Sequence, residues 1–308
     1  MSGQSTHSTY QPPVAKLLSA GEVKHSKKER WKNYRQKYGL TEADIPELIR
    51  MMTDDQLWNS EDIAEAYSAV HAWRALGQLK AIEAIRPLLS LWDDYEDDDW
   101  LSSEAPTVFE LIGSQALPVL SEALANTSLK EWARSSASEG ILKIGKAEPE
   151  QRDACVEILR RQLEAYNDNG LVFNGMLVSA LVEFKAVETV DLIEQVYAAK
   201  QIDDMIPGTW AYIQIKFGLK QRSDFTKDEL QPQFFKNMAA SRLLRNLKLN
   251  DDLDGLGAPP PDDWYEYPVT PSGFGEGFLE IPKQSVPKPV QGFGQGGVTK
   301  GNKKKKKK

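Results

Sequence analysis

The sequence predicts an all-α chain: an α-solenoid of antiparallel helix pairs followed by a disordered C-terminal tail. Three observations lead there. From Thr41 to about Gly218 apolar residues recur at helical spacing with few β-branched alternations. Helix-stop signals at Gly77, Gly113, Gly145 and Lys185 are separated by 36, 32 and 40 residues, the range in which helix-pair repeats stack and bury one face against their neighbours. One local phrase also recurs, Ala84-Ile-Arg-Pro-Leu-Leu89 returning one residue shorter as Ala116-Leu-Pro-Val-Leu120. The competing architecture is a single irregular helical bundle.

The elements follow in order. Thr41-Glu-Ala-Asp44 opens a helix with an N-cap and acidic residues near the positive end of the dipole, and Ile45, Leu48, Ile49 and Met52 form its apolar face. Ser60 is read as the cap of the next helix, whose stripe is Ile63, Ala66, Tyr67, Val70, Trp73 and Leu76, ending at Gly77. A helix from about Lys80 presents Ile82, Ile85, Leu88, Leu89 and Trp92 and runs into the acidic loop Asp93-Asp-Tyr-Glu-Asp-Asp-Asp99. The same unit then returns three times. Val108, Leu111 and Ile112 lead to Gly113, with Leu117, Leu120 and Leu124 as partner helix; Ala133, Ala137, Ile141, Leu142 and Ile144 lead to Gly145, with Val156, Leu159 and Leu163. Met176, Leu177, Ala180, Leu181 and Phe184 lead to Lys185, with Val190, Ile193, Val196 and Tyr197.

The stretch from Ala69-Val-His-Ala-Trp-Arg-Ala-Leu-Gly to Ile-Arg-Pro-Leu-Leu89 looks like a HEAT-like repeat, as do the Asp-Asp-Asp-Trp100 loop and the Phe109-Glu-Leu-Ile-Gly113 and Glu183-Phe-Lys-Ala186 turns. Together they resemble a bacterial family of HEAT-like repeat proteins of unassigned function, over roughly residues 40–220. The resemblance implies an α-solenoid of adaptor type with no catalytic residues to carry over. Some relatives end in a Cys-rich zinc module beside a lysine-rich segment; here the lysines are present and those cysteines are absent.

Charge divides the chain. The net −7 of the 308 residues combines +6 over residues 1–38, −20 over 39–298 and +7 over 299–308, and −17 of the acidic excess lies over 41–220. Such a body attracts basic partners and repels phosphate backbones, and the two ends do the reverse. Four segments result: a basic arm at 1–40 containing a candidate capping helix, a repeat domain at 41–220, an amphipathic helix at 221–249, and a Pro/Gly-rich tail at 250–308 ending in poly-lysine. In the arm, residues 22–38 read as a basic helix. Trp31, Tyr34, Tyr38 and Leu40 form the face that would dock as an N-terminal cap, and RNA or an anionic surface is the alternative use of its Lys/Arg set. Phe234, Met238, Leu243, Leu244 and Leu247 mark the later helix as a C-terminal cap, or else as a recognition helix for a partner groove. In the tail Trp264, Tyr265, Phe274 and Phe278 are the docking points, for a partner or for the solenoid itself. Lys303, Lys304, Lys305, Lys306, Lys307 and Lys308 form a polyanion-binding candidate whose alternative is a solvated tail, free to fold back onto the acidic body.

Little else suggests chemistry. One cysteine, Cys155, excludes a disulfide framework and any Cys-based zinc or iron–sulfur site within the chain. It lies on an apolar helix face and reads as a small core residue. His7 and His25 sit in the arm, leaving His71, between Val70 and Ala72, as a packed or surface histidine. The acidic loop lacks the central Gly and closing Glu of an EF-hand, and Gly273-Phe-Gly-Glu-Gly has neither strand before it nor helix after it. No catalytic residue, cofactor or metal is therefore expected. The apolar runs are too short for a membrane span, and the first residues lack the pattern of a signal peptide, so the cytoplasm is the expected compartment.

The expected function is that of a non-enzymatic scaffold whose acidic surface takes a basic protein or peptide. Its candidate contacts are Trp92, Asp93, Asp94, Glu96, Asp97, Asp98, Asp99 and Trp100, aromatics rimmed by charge being the residue types of interface anchors. The alternatives are nucleic-acid or ribosome association through the arm and Lys tail, and a chromophore-handling protein of the kind found among bilin lyases, whose HEAT-like repeats give a fold analogy without a site.

Overall fold

The computed structural model describes residues 10–24 and 26–238, and every regular element among them is helical. His7, His25, the tail from 250, its aromatics and its lysines lie outside the described residues, as do Leu243, Leu244 and Leu247. The helices are α1 (Tyr34–Tyr38), α2 (Ile45–Met52), α3 (Asp55–Trp58), α4 (Ile63–Ala66), α5 (Ser68–Gln78), α6 (Ile85–Ser90) and α7 (Asp99–Ile112), followed by α8 (Leu117–Ala125), α9 (Glu131–Ala147), α10 (Arg152–Glu164), α11 (Leu171–Glu183), α12 (Val190–Ala198) and α13 (Trp210–Lys216).

Capping chemistry sets the starts. Thr41 and Asp44 close a capping box, the Thr41 N–H and Oγ1 both donating to Asp44 Oδ2 at 2.7 and 3.0 Å, and a single 3-10 turn then feeds α2. The helix expected from Ser60 divides in two. Asp62, rather than Ser60, caps α4 by accepting from the Ala64 N–H at 2.8 Å, and Tyr67 separates α4 from α5. Because α4 is a separate single turn, Ile63 leaves the core stripe and is 66% exposed.

The ends differ from the expected stops in an informative way. Gly113, with φ +87°, does end α7. Gly77 and Gly145 instead lie inside α5 and α9. Close packing is what the glycines of these helices permit. A Cβ on Gly140 of α9 would sit 2.6 Å from Phe109 Cδ2 of α7. Left-handed lysines perform the termination. Lys80, Lys185 and Lys200 have φ of +57°, +52° and +56°, and the next N–H in each case bonds back to the carbonyl five residues earlier, Ala81 to Leu76, Ala186 to Leu181 and Gln201 to Val196. A lysine there is strained relative to glycine but puts a cation at the negative end of the dipole.

Packing is sequential. α2 lies against α5, α5 against α7, α7 against α9 and α9 against α11, while α6, α8 and α10 form a second row packed behind them. One apolar cluster runs from Tyr10 to Ile213, with Trp73, Trp92, Phe109 and Phe173 among its largest fully buried side chains. The arm belongs to it. Residues 22–38 are not one basic helix but a 3-10 turn at Lys28–Arg30 and the short α1, joined by extended chain; Tyr10, Val14, Leu17, Trp31, Tyr34, Tyr38 and Leu40 are buried, and the arm packs against α4 and α5. At the other end, the helix expected within 221–249 starts late. Residues 227–230 are a turn, and helix begins at 233, since Pro232 disfavours helical conformation in the residue before it.

Candidate functional site

The acidic loop is anchored at three points. The Tyr95 ring stacks on Trp58 with centroids 4.1 Å apart, and its hydroxyl donates to Asp55 Oδ1 at 3.0 Å. Burial first, and then that carboxylate, push the Tyr95 phenol up to about 12. Asp98 caps α7, accepting from the Leu101 N–H at 2.7 Å. Glu96 meets Lys130 at 3.4 Å across an exposed pair of the kind that contributes little to stability. Asp93, Asp94, Glu96, Asp97 and Asp99 are exposed and Asp98 is half-buried.

Trp92 does not belong with them. It is 1% exposed and lies in the core, with no hydrogen-bond partner for its Nε1–H among the described residues, so its place in the expected contact surface is corrected. The physical reason is its helical phase. It continues the buried face of Ile85, Leu88 and Leu89 through a 3-10 turn, which turns its ring inward before the loop leaves the surface.

Asp98 and Trp100, by contrast, meet at an open groove of about 430 Å³ between the arm, α3, α4, α5 and the start of α7. Its walls are Trp58, Tyr67, Trp73 and Trp100, with Ile63 at the edge and Glu22 of the arm opposite. Tyr67 and Trp100 meet edge to face, 5.6 Å apart at 85°. Its described lining carries two carboxylates and no lysine or arginine. Sequence reasoning had Tyr67 as core and passed over Trp58 and Glu22.

Beneath the groove lies a buried ion pair, also missed. Glu104 of α7 accepts from Arg74 Nε at 2.8 Å, from Arg74 Nη2 and from Trp73 Nε1 at 3.0 Å. The two charged side chains are 4% and 5% exposed. Arg74 also donates to the Lys24 carbonyl at 3.3 Å and lies on the Trp31 ring at 4.6 Å. The pair therefore fastens the arm, and with it Glu22, to the wall of the groove.

His71 performs a similar task. Its Nε2 lies 2.8 Å from the Gly21 carbonyl, which can only accept, so Nε2 carries the proton and Nδ1 accepts from the Tyr34 hydroxyl at 2.6 Å. Burial, followed by Lys32, Arg74 and Lys37, lowers it to about 4 despite the Gly21 bond. It is a neutral structural group at pH 7. Cys155 is buried, with its thiol pushed up to about 11 by burial, which removes the thiolate that reactivity requires.

Four of the arm's eight cations are held by the chain's own acceptors. Lys16 donates to the Tyr38 carbonyl at 3.2 Å, Lys32 to the Ala20 carbonyl at 2.9 Å, Arg35 pairs with Glu42 at 2.8 Å and Lys28 pairs with Glu110. A second polar cluster sits between α9 and α11. Arg134 donates to the Leu124 carbonyl at 2.8 Å and to Asn169 at 3.2 Å, and Asn169 donates to Asn174 at 3.0 Å. Among the described residues no three His, Cys, Asp or Glu side chains form a metal-binding group, and no single helix is long and apolar enough to cross a membrane. Against protein-family models, curated proteins and solved structures, the chain matches none.

Proposed function

We propose that this chain is a non-enzymatic protein-interaction scaffold, an α-solenoid of HEAT-like helix pairs whose acidic surface engages a basic segment of a partner protein. The observation that carries the reading is the anchored acidic loop, five of whose carboxylate side chains stand exposed beside an aromatic groove. The sequential packing of α2, α5, α7, α9 and α11 supports the solenoid, because helix pairs stacked in chain order build one continuous face. The net −17 of residues 41–220 supports a cationic partner. Nucleic acid is the less favoured partner, since Lys16, Lys28, Lys32 and Arg35 are held by the chain's own acceptors.

The test is binding of labelled peptides to the full chain at low and at physiological salt. A Lys/Ser peptide should bind, more weakly as salt rises, and a Glu/Ser peptide should not. Joint replacement of Asp93, Asp94, Asp97 and Asp99 by Asn should weaken the Lys/Ser complex severalfold. Equal binding of both peptides, or none of the cationic one, would overturn the scaffold reading.

A further inference from the structure

We propose that the groove walled by Trp58, Tyr67 and Trp100 is the seat of an arginine or lysine side chain from the partner's basic segment, with Glu22 supplying the counter-charge. The inference rests on the scaffold reading and names the site and the ligand chemistry within it. Aromatic faces attract a cation through their quadrupole, and most strongly when the ring is indole; two half-buried indoles, Trp58 and Trp100, and the Tyr67 phenol line this groove, with the buried Trp73 behind them. An apolar groove alone would fit many occupants. Here the exposed Glu22 carboxylate, with no lysine or arginine in the described lining, and the net −17 of residues 41–220 select a cationic one. The dimensions agree: about 430 Å³ of open space holds a long aliphatic stem with a flat or rounded cationic head and leaves room for the flanking backbone.

The position is also prepared. The Trp58 ring is held by Tyr95 on one side and donates from Nε1 to the Met52 carbonyl at 2.7 Å. Trp100 is braced by Tyr67, and its ring lies 5.8 Å from the buried Arg74 guanidinium. Glu22 is brought to the rim by an arm that His71, Arg74 and Gln78 tie down, Gln78 accepting from the Tyr34 N–H at 2.9 Å. A rigid wall loses little side-chain freedom when a ligand arrives, which favours affinity from few contacts.

The experiment compares a fluorescein-labelled decapeptide of alternating Arg and Ser with its citrulline counterpart, which keeps the shape and removes the charge, by anisotropy against the full chain. The Arg peptide should bind at least about tenfold more tightly than the citrulline peptide, the scale of one lost cation contact. Ile63 and Glu22 are exposed, so Ile63→Lys and Glu22→Gln alter the groove at its edge without touching the core. Ile63→Lys should weaken the Arg peptide about tenfold or more and Glu22→Gln severalfold, with unchanged circular dichroism. If the Arg peptide binds in preference to citrulline while both variants leave its affinity unchanged, the groove assignment fails and the scaffold reading stands. If the Arg peptide binds neither the full chain nor the chain with Lys303–Lys308 replaced by Ser, both fail. Binding that emerges only when Lys303–Lys308 are replaced by Ser would assign the groove to the chain's own terminus and overturn the partner assignment.

Discussion

Removing the Glu104 carboxylate leaves a buried guanidinium with no counter-charge. Glu104→Leu takes away the acceptor of both Arg74 bonds and of the Trp73 Nε1 bond at once. With the two side chains 4% and 5% exposed, water does not replace it. The expected loss is about 3–5 kcal/mol, the usual result of breaking a buried pair on one side. Arg74→Met should cost a comparable amount by stranding the carboxylate. The double variant Arg74→Met with Glu104→Leu is the informative one. It strands no charge, keeps an apolar stem against Trp31, and leaves chiefly the Trp73 Nε1–H without an acceptor, at about 1–3 kcal/mol. It should therefore be more stable than either single variant. Urea unfolding of all four chains, followed by far-ultraviolet circular dichroism and by tryptophan fluorescence, supplies the cycle. A double variant whose loss equals the sum of the two single losses would refute the reasoning, because it would mean that the charges stabilise independently of each other.

Two further outcomes are expected. His71 is depressed from 6.5 to about 4 in the folded chain, so the unfolded chain binds its proton first. Stability from this group is complete above about pH 6.5 and declines by about 3 kcal/mol as pH falls toward 4. Unfolding midpoints across that window should fall in the wild type and stay flatter in His71→Gln, once the carboxylate contribution common to both is subtracted; equal slopes would exclude His71 as the source. Gly140→Ala puts a Cβ 2.6 Å from Phe109 Cδ2. It should destabilise the chain by about 1–3 kcal/mol despite the better helix propensity of alanine, and Phe109→Leu in that background should restore part of the loss in the same unfolding assay.

Much of the helical framework could be read from residue order because its causes are local. The Thr41–Asp44 capping box, the apolar stripe of α2 and the left-handed stop at Lys185 each involve residues within a few positions of one another. Long-range partners were not legible. Arg74 and Glu104 are 30 residues apart and each reads alone as a solvent-facing charge on a helix. Gly77 and Gly145 look like terminators because composition does not distinguish a turn from a close helix crossing, which depends on the facing side chain. The groove was half visible. Trp100 and Asp98 stood in the acidic loop, but Trp58, Tyr67 and Glu22 reach it only through the break at Tyr67 and the fold of the arm. Trp92 misled because it adjoins the loop in sequence while its phase belongs to α6.

The arm's burial changes what counts as the smallest viable piece of this molecule. Composition places a boundary near residue 40, yet Tyr10, Val14, Leu17, Tyr34 and Leu40 share an interior with α4 and α5. A polypeptide begun at Thr41 would leave that greasy flank bare, with Arg74 deprived of Trp31 and His71 of both its neighbours. It would be expected to clump in solution and to lose one bank of the groove. Residues 10–24 and 26–40 are thus a keystone, and trimming them would dismantle what they close.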